Sequence, residues 1–317
     1  MSYPSTKLRR ANIRNKCNVC GGTGCAIGAG VTLCWRTKSQ AQAKSGAWVH
    51  RDAQAYYNVQ PVAAPVLVAD LDRRHRVYSA LLDRLTLSAA HADHLSVARG
   101  LSEESITRES FATVPDRAAG DRIAAELARD FDLENVPGFW RRYGQWVMRF
   151  AGISGFFIPI RDQVGRIQAL QIRRDDAQKG KYLLFSSSDL PSGANSGAPA
   201  HYCNPNRAAR GVVITEGALK ANIVAEHLDA CVVGLVAVGT FPESIGNRLI
   251  SALGPIKAAT IAYDSDWYRN PVILGQLLRL AHALENSKIA VKVALWDPAE
   301  GKGIDDYLLK NGGESWQ

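Results

Sequence analysis

Val212-Val213-Ile214-Thr215-Glu216-Gly217-Ala218-Leu219-Lys220 decides the fold of this chain: a short β-branched run ends in a glutamate and a glycine, and helix-forming sequence follows. The layout recurs downstream, where Ala259-Thr260-Ile261-Ala262-Tyr263 runs into Asp264-Ser265-Asp266 and then into another amphipathic stretch. Strand then helix, repeated, predicts an α/β fold built on a parallel sheet with crossover helices. In an open sheet of this kind the ligand site lies beyond the carboxyl ends of the strands, where Glu216, Asp264 and Asp266 would fall together. Oxygen ligands in this number suit Mg²⁺ or Mn²⁺ rather than zinc, and such ions complete their shells with water and substrate phosphate. The combination points to phosphodiester chemistry. Taken singly, Glu216 is also explained as a first-turn helix acid and the aspartates as loop acids. Their shared placement is what favours the metal.

With 317 residues, 46% of them hydrophobic, the chain can bury a sizeable core in two or more domains. No apolar run approaches membrane-spanning length and the N-terminus lacks the apolar core of a signal peptide, so a soluble, cytoplasmic protein without a membrane partner is expected. The net charge is +8 and unevenly placed, since Lys7, Arg9, Arg10, Arg14, Lys16, Arg36, Lys38, Lys44 and Arg51 all precede the first acid, Asp52. That asymmetry predicts a polyanion partner. A second basic stretch carries Arg141, Arg142, Arg149, Arg161, Arg166, Arg173, Arg174, Lys179 and Lys181, with Trp140, Tyr143, Trp146 and Tyr182 between them. Arginine mixed with aromatics can hold backbone phosphates while stacking the bases of a single strand; a solvated surface over a few core aromatics is the plainer alternative.

Four of the six cysteines share one short segment, Cys17-x2-Cys20-x4-Cys25-x8-Cys34. In a reducing compartment this spacing favours a Cys₄ zinc site over disulfides, with a redox role as the competing reading. Cys203 and Cys231 stand alone and read as packing residues.

Pro61-Val62-Ala63-Ala64-Pro65 reads as an extended linker, and residues from about Arg76 to Arg129 as mostly helical. Ser88 and Ser102 are candidate helix N-caps, the second just after a Gly100 C-cap, and helices joined this way resemble a helix-turn-helix. From Gly152 to Ile172 the pattern becomes a hairpin, Phe156 to Ile160 and Ile167 to Ile172 about a turn at Asp162-Gln163-Val164-Gly165, which opens a small antiparallel or mixed sheet. Residues 186–199, rich in Ser, Gly, Ala and Pro, are expected as a loop near the acidic site. Asp305 and Asp306 either add ligands for a second metal or cap the helix that follows them.

Together these residues resemble bacterial-type DNA primases and, more broadly, the Toprim superfamily shared with type IA and II topoisomerases and small nucleases. The resemblance covers roughly residues 80–310, with a zinc ribbon in the matching N-terminal place. Gly155 to Ile160, Gly165-Arg166, Gln171-Ile172-Arg173 and Lys181-Tyr182-Leu183 look like that family's small sheet and basic template groove. Thr215-Glu216-Gly217, Val238-Gly239-Thr240 and Tyr263-Asp264-Ser265-Asp266 are similar to the Toprim signature, with Gly239 expected to permit a close turn. The likeness implies four parts: a zinc ribbon over 1–60, a linker and helical segment over 61–150, a small α+β subdomain over 151–209 and a Toprim domain over 210–317. It implies Glu216 as catalytic acid, Asp264 and Asp266 as Mg²⁺ ligands, and Arg166, Arg173, Arg174, Lys181 and Tyr182 as nucleotide or nucleic-acid contacts.

The chain departs from the family in two places. Lys220 stands where cellular primases carry an acid, and Trp267-Tyr268 where they carry Ala-Gly. A lysine there leaves fewer carboxylates for a second ion, or it contacts a phosphate directly. These departures bring the sequence closer to primase-like Toprim proteins of plasmids and phages. The expected function is metal-dependent synthesis of RNA primers on single-stranded DNA from nucleoside triphosphates, with a replicative helicase as a further partner. A Toprim nuclease and a DNA-binding accessory with a decayed site are the alternatives.

Overall fold

The computed structural model describes residues 9–12, 16–17, 19–28, 31–39, 41–43, 45–51, 68–176, 180–237 and 239–313. The linker at 61–65, the basic residues Lys7, Arg14, Lys44 and Lys179, and Val238 of the Val-Gly-Thr motif lie outside them. The chain divides into two units, Met1–Pro65 and Val66–Gln317.

In the first unit four short strands, β1 (Arg9–Arg10), β2 (Ala26–Gly28), β3 (Val31–Cys34) and β4 (Trp48–Arg51), pair antiparallel in sequence order. Its buried cluster is Ala11, Cys17, Cys25 and Cys34. No large side chain is in that cluster, so apolar burial holds little of this unit together.

The second unit begins with helices that the sequence marks by their caps. Asp70 caps α1 (Leu71–Leu82), Ser88 caps α2 (Ala89–Ser96) and Ser102 caps α3 (Glu103–Glu109), each side chain accepting from a backbone N–H three residues on. Gly100, at φ +65°, makes the turn between the last two. A two-residue strand, β5 (Ala112–Thr113), interrupts the segment read as helical before α4 (Arg117–Asp130). A hairpin follows, β6 (Phe139–Arg142) and β7 (Gln145–Met148), turning on Tyr143 and Gly144, both at positive φ.

The expected hairpin is present as β8 (Gly155–Arg161) and β9 (Ile167–Arg174), and with β10 (Tyr182–Leu184) it forms an antiparallel sheet in the order β10-β9-β8-β5. β8 is buried on both faces, and strand periodicity sorts its side chains. Phe157 joins the core under α1 and α4, while Phe156, Ile158 and Ile160 join Leu95, Leu101 and Phe111 on the other side.

The remaining strands form a five-stranded sheet. In chain order the elements are β11 (His201–Cys203), β12 (Val212–Glu216), α5 (Ala218–His227), β13 (Cys231–Leu235), α6 (Ile245–Leu253), β14 (Ala258–Ala262), α7 (Pro271–Glu285), β15 (Ala290–Val293) and α8 (Ile304–Asn311). The strand order is β11-β13-β12-β14-β15; the last four are parallel and β11 is an antiparallel edge. This is the α/β arrangement expected from the strand-then-helix pattern. The helix α5 packs Ala218, Leu219 and Ile223 into the core of the small sheet as well as serving its own.

Two local expectations need correction. The 186–199 loop does not border the acidic site: Ser187 Oγ accepts from the Gly138 amide and donates to the Phe139 carbonyl, and Pro191 O accepts from the Arg141 amide, so the loop lies against β6. Gly239 does not adopt a left-handed φ. A Cβ there would come within 3.2 Å of Gln276 Oε1, so its lack of a side chain gives room to Gln276 instead.

Candidate functional site

β12 delivers Glu216 as its last residue, level with Leu235 at the end of β13. Gly217, at φ +80°, then turns the chain into α5, and no L-residue with a side chain adopts that angle cheaply. The next parallel strand, β14, ends two residues before Asp264. The loop beyond it is tied to the segment before α8, because the Ser265 amide donates to Lys302 O at 2.7 Å and Ser265 Oγ to Gly301 O at 3.1 Å. These ties bring Asp264 and Asp266 beside Asp305 and Asp306. The result is a cleft of about 480 Å³ lined by Glu216, Lys220, Asp264, Asp305 and Asp306 together with Arg99, Lys181, Tyr182 and Lys302.

The aspartates are each engaged by a cation. Lys220 donates a short hydrogen bond to Asp264 Oδ1 and lies 3.9 Å from Asp305 Oδ1. Lys302 Nζ stands 3.3 Å from Asp266 Oδ2 and 3.8 Å from Asp264 Oδ2. Arg99 Nη1 reaches Asp305 Oδ2 at 3.2 Å and Asp306 Oδ1 at 3.5 Å. Among the described residues only Glu216, of the five acids, takes part in no ion pair. Burial, reinforced by the charge of Asp264 and opposed by Lys220, pushes the Glu216 carboxyl above its usual range. Burial raises Asp305 as well, against the pull of Lys220. For Lys220 burial acts downward, but the charges of Asp264 and Asp305 more than offset it and hold the ammonium charged.

Of the two readings of Asp305 and Asp306, the cap describes Asp306, whose Oδ2 accepts from the Gly303 amide at 3.1 Å at the start of α8. Asp305 is 6% exposed and faces Lys220 and Arg99. Its Oδ1 accepts no hydrogen bond.

Of the basic residues singled out in the sequence, Lys181 and Tyr182 line the cleft and Arg173 lies close enough to depress the Lys181 amine, behind burial and Arg99 as causes. Arg173 extends over the Phe156 ring, 5.7 Å from its centroid, and its Nε has no hydrogen-bond partner. Arg166 and Arg174 are placed elsewhere: Arg166 pairs with Asp162 and Asp72, and Arg174 donates to Gly180 O across the end of its own hairpin. Arg142 is likewise held by Asp121 at 2.6 Å and Arg149 by Asp189. Sequence reasoning overlooked Arg99 and Lys302 as site residues; the Gly-Lys-Gly run before two aspartates was the available signal for the second, and Arg99 carried none.

His201, Cys203 and Asn222 meet in the interior with the outward look of a catalytic triad. The Arg161 amide donates to His201 Nδ1 at 2.9 Å, which puts the ring proton on Nε2, facing Asn222 Oδ1 at 2.9 Å and Cys203 Sγ at 3.2 Å. A protonated Nε2 cannot accept from the thiol, and burial pushes the thiol well up. The group therefore ties β8, β11 and α5 together, with half-buried Cys203 part of that tie and Cys231 a buried packing residue.

In the first unit Cys17, Cys20, Cys25 and Cys34 place their sulfurs within 4.8 Å of one another. The separations Cys20–Cys25 and Cys25–Cys34 are both 3.8 Å. A tetrahedron of metal–sulfur bonds of about 2.3 Å has edges of about 3.8 Å, so the donor set fits one zinc-sized ion. A disulfide would need about 2.05 Å, and all four thiols are free. The Gly22 amide, and after it the Arg36 guanidinium, bring Cys20 down to about 6. Burial instead pushes Cys25 up to about 11. This is the sole group of three or more such donors to converge that closely among the described residues, so the aspartates and Glu216 do not form a preassembled cage.

Sequence comparison gives little: the family profile "Domain of unknown function (DUF3854)" matches residues 206–315, and no curated protein matches the chain. The fold is more informative, for it is that of bacterial DnaG primase domains, with a four-cysteine cluster preceding it. The zinc-binding and RNA polymerase domains of the Aquifex aeolicus primase superpose with a TM-score of 0.60 at 16% identity, over 78% of this chain and 60% of that one, so this chain spans three fifths of its length. A DnaG primase catalytic domain bound to single-stranded DNA matches at 0.59 and 17%, covering 77% of each chain. A DNA primase domain from Pseudomonas aeruginosa matches at 0.56 and 19%, over 77% of this chain and 76% of its own. Among the described residues no helix is long and apolar enough to cross a membrane.

Proposed function

We propose that this protein is a primase-like nucleotidyltransferase that builds short primers on single-stranded DNA from nucleoside triphosphates. The observation that carries the reading is one cleft that gathers acids from the ends of parallel strands and the start of α8 together with Arg99, Lys181 and Tyr182. A growing primer end needs the acids, and an incoming triphosphate needs the basic groups. Arg173 and Lys181 hold phosphate charge there, and Tyr182, 40% exposed, offers a ring on which a base stacks. Glu216, free of ion pairs and raised in pKa, is the group able to accept the proton of an attacking hydroxyl. Glu216, Asp264 and Asp266 would hold Mg²⁺ or Mn²⁺, which supplies activation of a hydroxyl and neutralisation of phosphate charge. Lys302 would leave the aspartates as the ion arrives.

Cys17, Cys20, Cys25 and Cys34 would hold Zn²⁺ and so order the basic N-terminal unit as a second contact for the template. Lys220, Trp267 and Tyr268, where cellular primases differ, support a reading as a primase of a mobile element, acting in the cytoplasm with a replicative helicase as a further partner. One observation favours a second reading: with four of the five acids already engaged by side-chain cations, a DNA-binding accessory without catalysis is the competing function.

Incorporation of labelled ribonucleotides and deoxynucleotides on single-stranded DNA with Mg²⁺ or Mn²⁺ decides between them. Template-dependent products lost in Glu216→Gln and Asp264→Asn are expected. DNA binding without products in any of the three proteins would establish the accessory, and a degraded template a nuclease.

A further inference from the structure

Three features of the acidic cleft concern a residue that no family likeness explains. First, the Lys220 ammonium lies between a loop carboxylate and one in the first turn of α8, bonded to Asp264 Oδ1 and 3.9 Å from Asp305 Oδ1. Second, space for it is made by the backbone: a Cβ on Gly303 would fall 3.0 Å from Lys220 Nζ and 2.1 Å from Asp305 Oδ1. Third, Asp305 is more than nine-tenths buried and its Oδ1 has no hydrogen bond, while its other oxygen pairs with Arg99. A buried carboxylate oxygen aimed at a cation without bonding to it is the arrangement of an ion site whose occupant is a side chain.

We infer that Lys220 is a resident cation in the place of one divalent ion, so that this cleft binds a single Mg²⁺ or Mn²⁺ where a two-ion site would bind two. A second ion would have to displace an ammonium already bonded to Asp264 and flanked by Asp305. It would also lack ligands, since Lys220 occupies the space between Asp264 and Asp305 and Arg99 holds the outer oxygen of Asp305. The single ion is left with Glu216, which no side-chain cation pairs, and with Asp264 and Asp266, whose remaining partner is the 66% exposed and readily displaced Lys302.

This inference rests on reading the acids as a divalent-cation site, but it is tested apart from primer synthesis. The intact chain, with zinc retained, is titrated with Mn²⁺ alone while free Mn²⁺ is followed by electron paramagnetic resonance. One bound ion per chain is expected for the wild type and two for Lys220→Asp, which exchanges the cation for a ligand. Lys220→Gln, which keeps a polar side chain without the charge, should still bind at least one and guards against a folding defect in the aspartate variant. Two ions of similar affinity in the wild type, none, or a folded Lys220→Asp chain that still binds one, would each overturn the inference. A wild type that binds one ion but makes no primers would instead defeat the proposed function and leave this site as described.

Discussion

Replacing Cys25 by serine should unfold the N-terminal unit and leave the rest of the chain standing. Cys25 is fully buried, and its sulfur lies 3.8 Å from those of Cys20 and Cys34. The buried apolar set of this unit, among the described residues, consists of Ala11, Ala47 and three of the cysteines themselves. Two alanine methyls bring about 2 kcal/mol at most, while ordering each residue costs about 1 kcal/mol or more. A Cys₄ zinc ion contributes about 10–16 kcal/mol to a unit of this type, so the metal is the dominant stabilising contact, and a chain lacking one thiolate loses most of it. Hydrogen exchange read by mass spectrometry should show β2, β3 and β4 fully exchanged within seconds in Cys25→Ser and in chelator-treated protein, with protection of β12 to β15 unchanged. Metal analysis should find about one zinc per wild-type chain and much less in the variant. Retained protection of β3 in the metal-free protein would refute the reasoning, because the strands would then be held by contacts other than the cluster.

Three further outcomes follow from the second unit. Arg99→Ala removes a charged hydrogen bond from Asp305, whose side chain is 9% exposed, and should lower unfolding stability by about 2 kcal/mol by urea titration; a loss below about 0.5 would mean Asp305 is satisfied by Lys220 alone. Phe157→Ala empties a fully buried site whose ring meets Phe185 edge-on at 5.2 Å, for about 4 kcal/mol, and a variant with an unchanged urea midpoint would show that this core closes over the gap. His94 is pushed down to about 4 by burial first and then by Arg173, Arg99 and Lys181. The unfolded imidazole takes its proton near pH 6.5, so stability is complete above that value and declines as pH falls from about 6.5 toward 4. His94→Gln should flatten this decline, and an identical pH slope in the variant would remove His94 as its cause.

The acids were legible because each follows a β-branched run, and a parallel sheet fixes where such residues emerge. Lys220 was legible as a departure, but its partners were not. Four positions after Glu216, it would be matched with that residue by spacing alone; in the fold it turns to Asp264, 44 positions away. Arg99 and Asp305 are 206 positions apart, and nothing local announces a pair of that separation. The basic stretch was over-read for the same reason. Arg142, Arg149 and Arg166 look free in sequence because Asp121, Asp189 and Asp72 reach them only through tertiary contacts. Strands β5, β6, β7 and β11 have two to four residues each, too few for alternation to register.

One helix serves two sheets, and that limits what can be cut from this protein. The family profile covers residues 206–315, which contain α5 but not β8 or β9. Expressed alone, such a segment would expose Ala218, Leu219 and Ile223, the face on which Phe156, Ile158 and Ala169 now rest, and would leave Asn222 without His201. The boundary of the shared sequence is therefore not a boundary of folding. A fragment meant to carry the acidic site must begin upstream of α1, and any inheritance of the site by another protein would have to bring the small sheet with it.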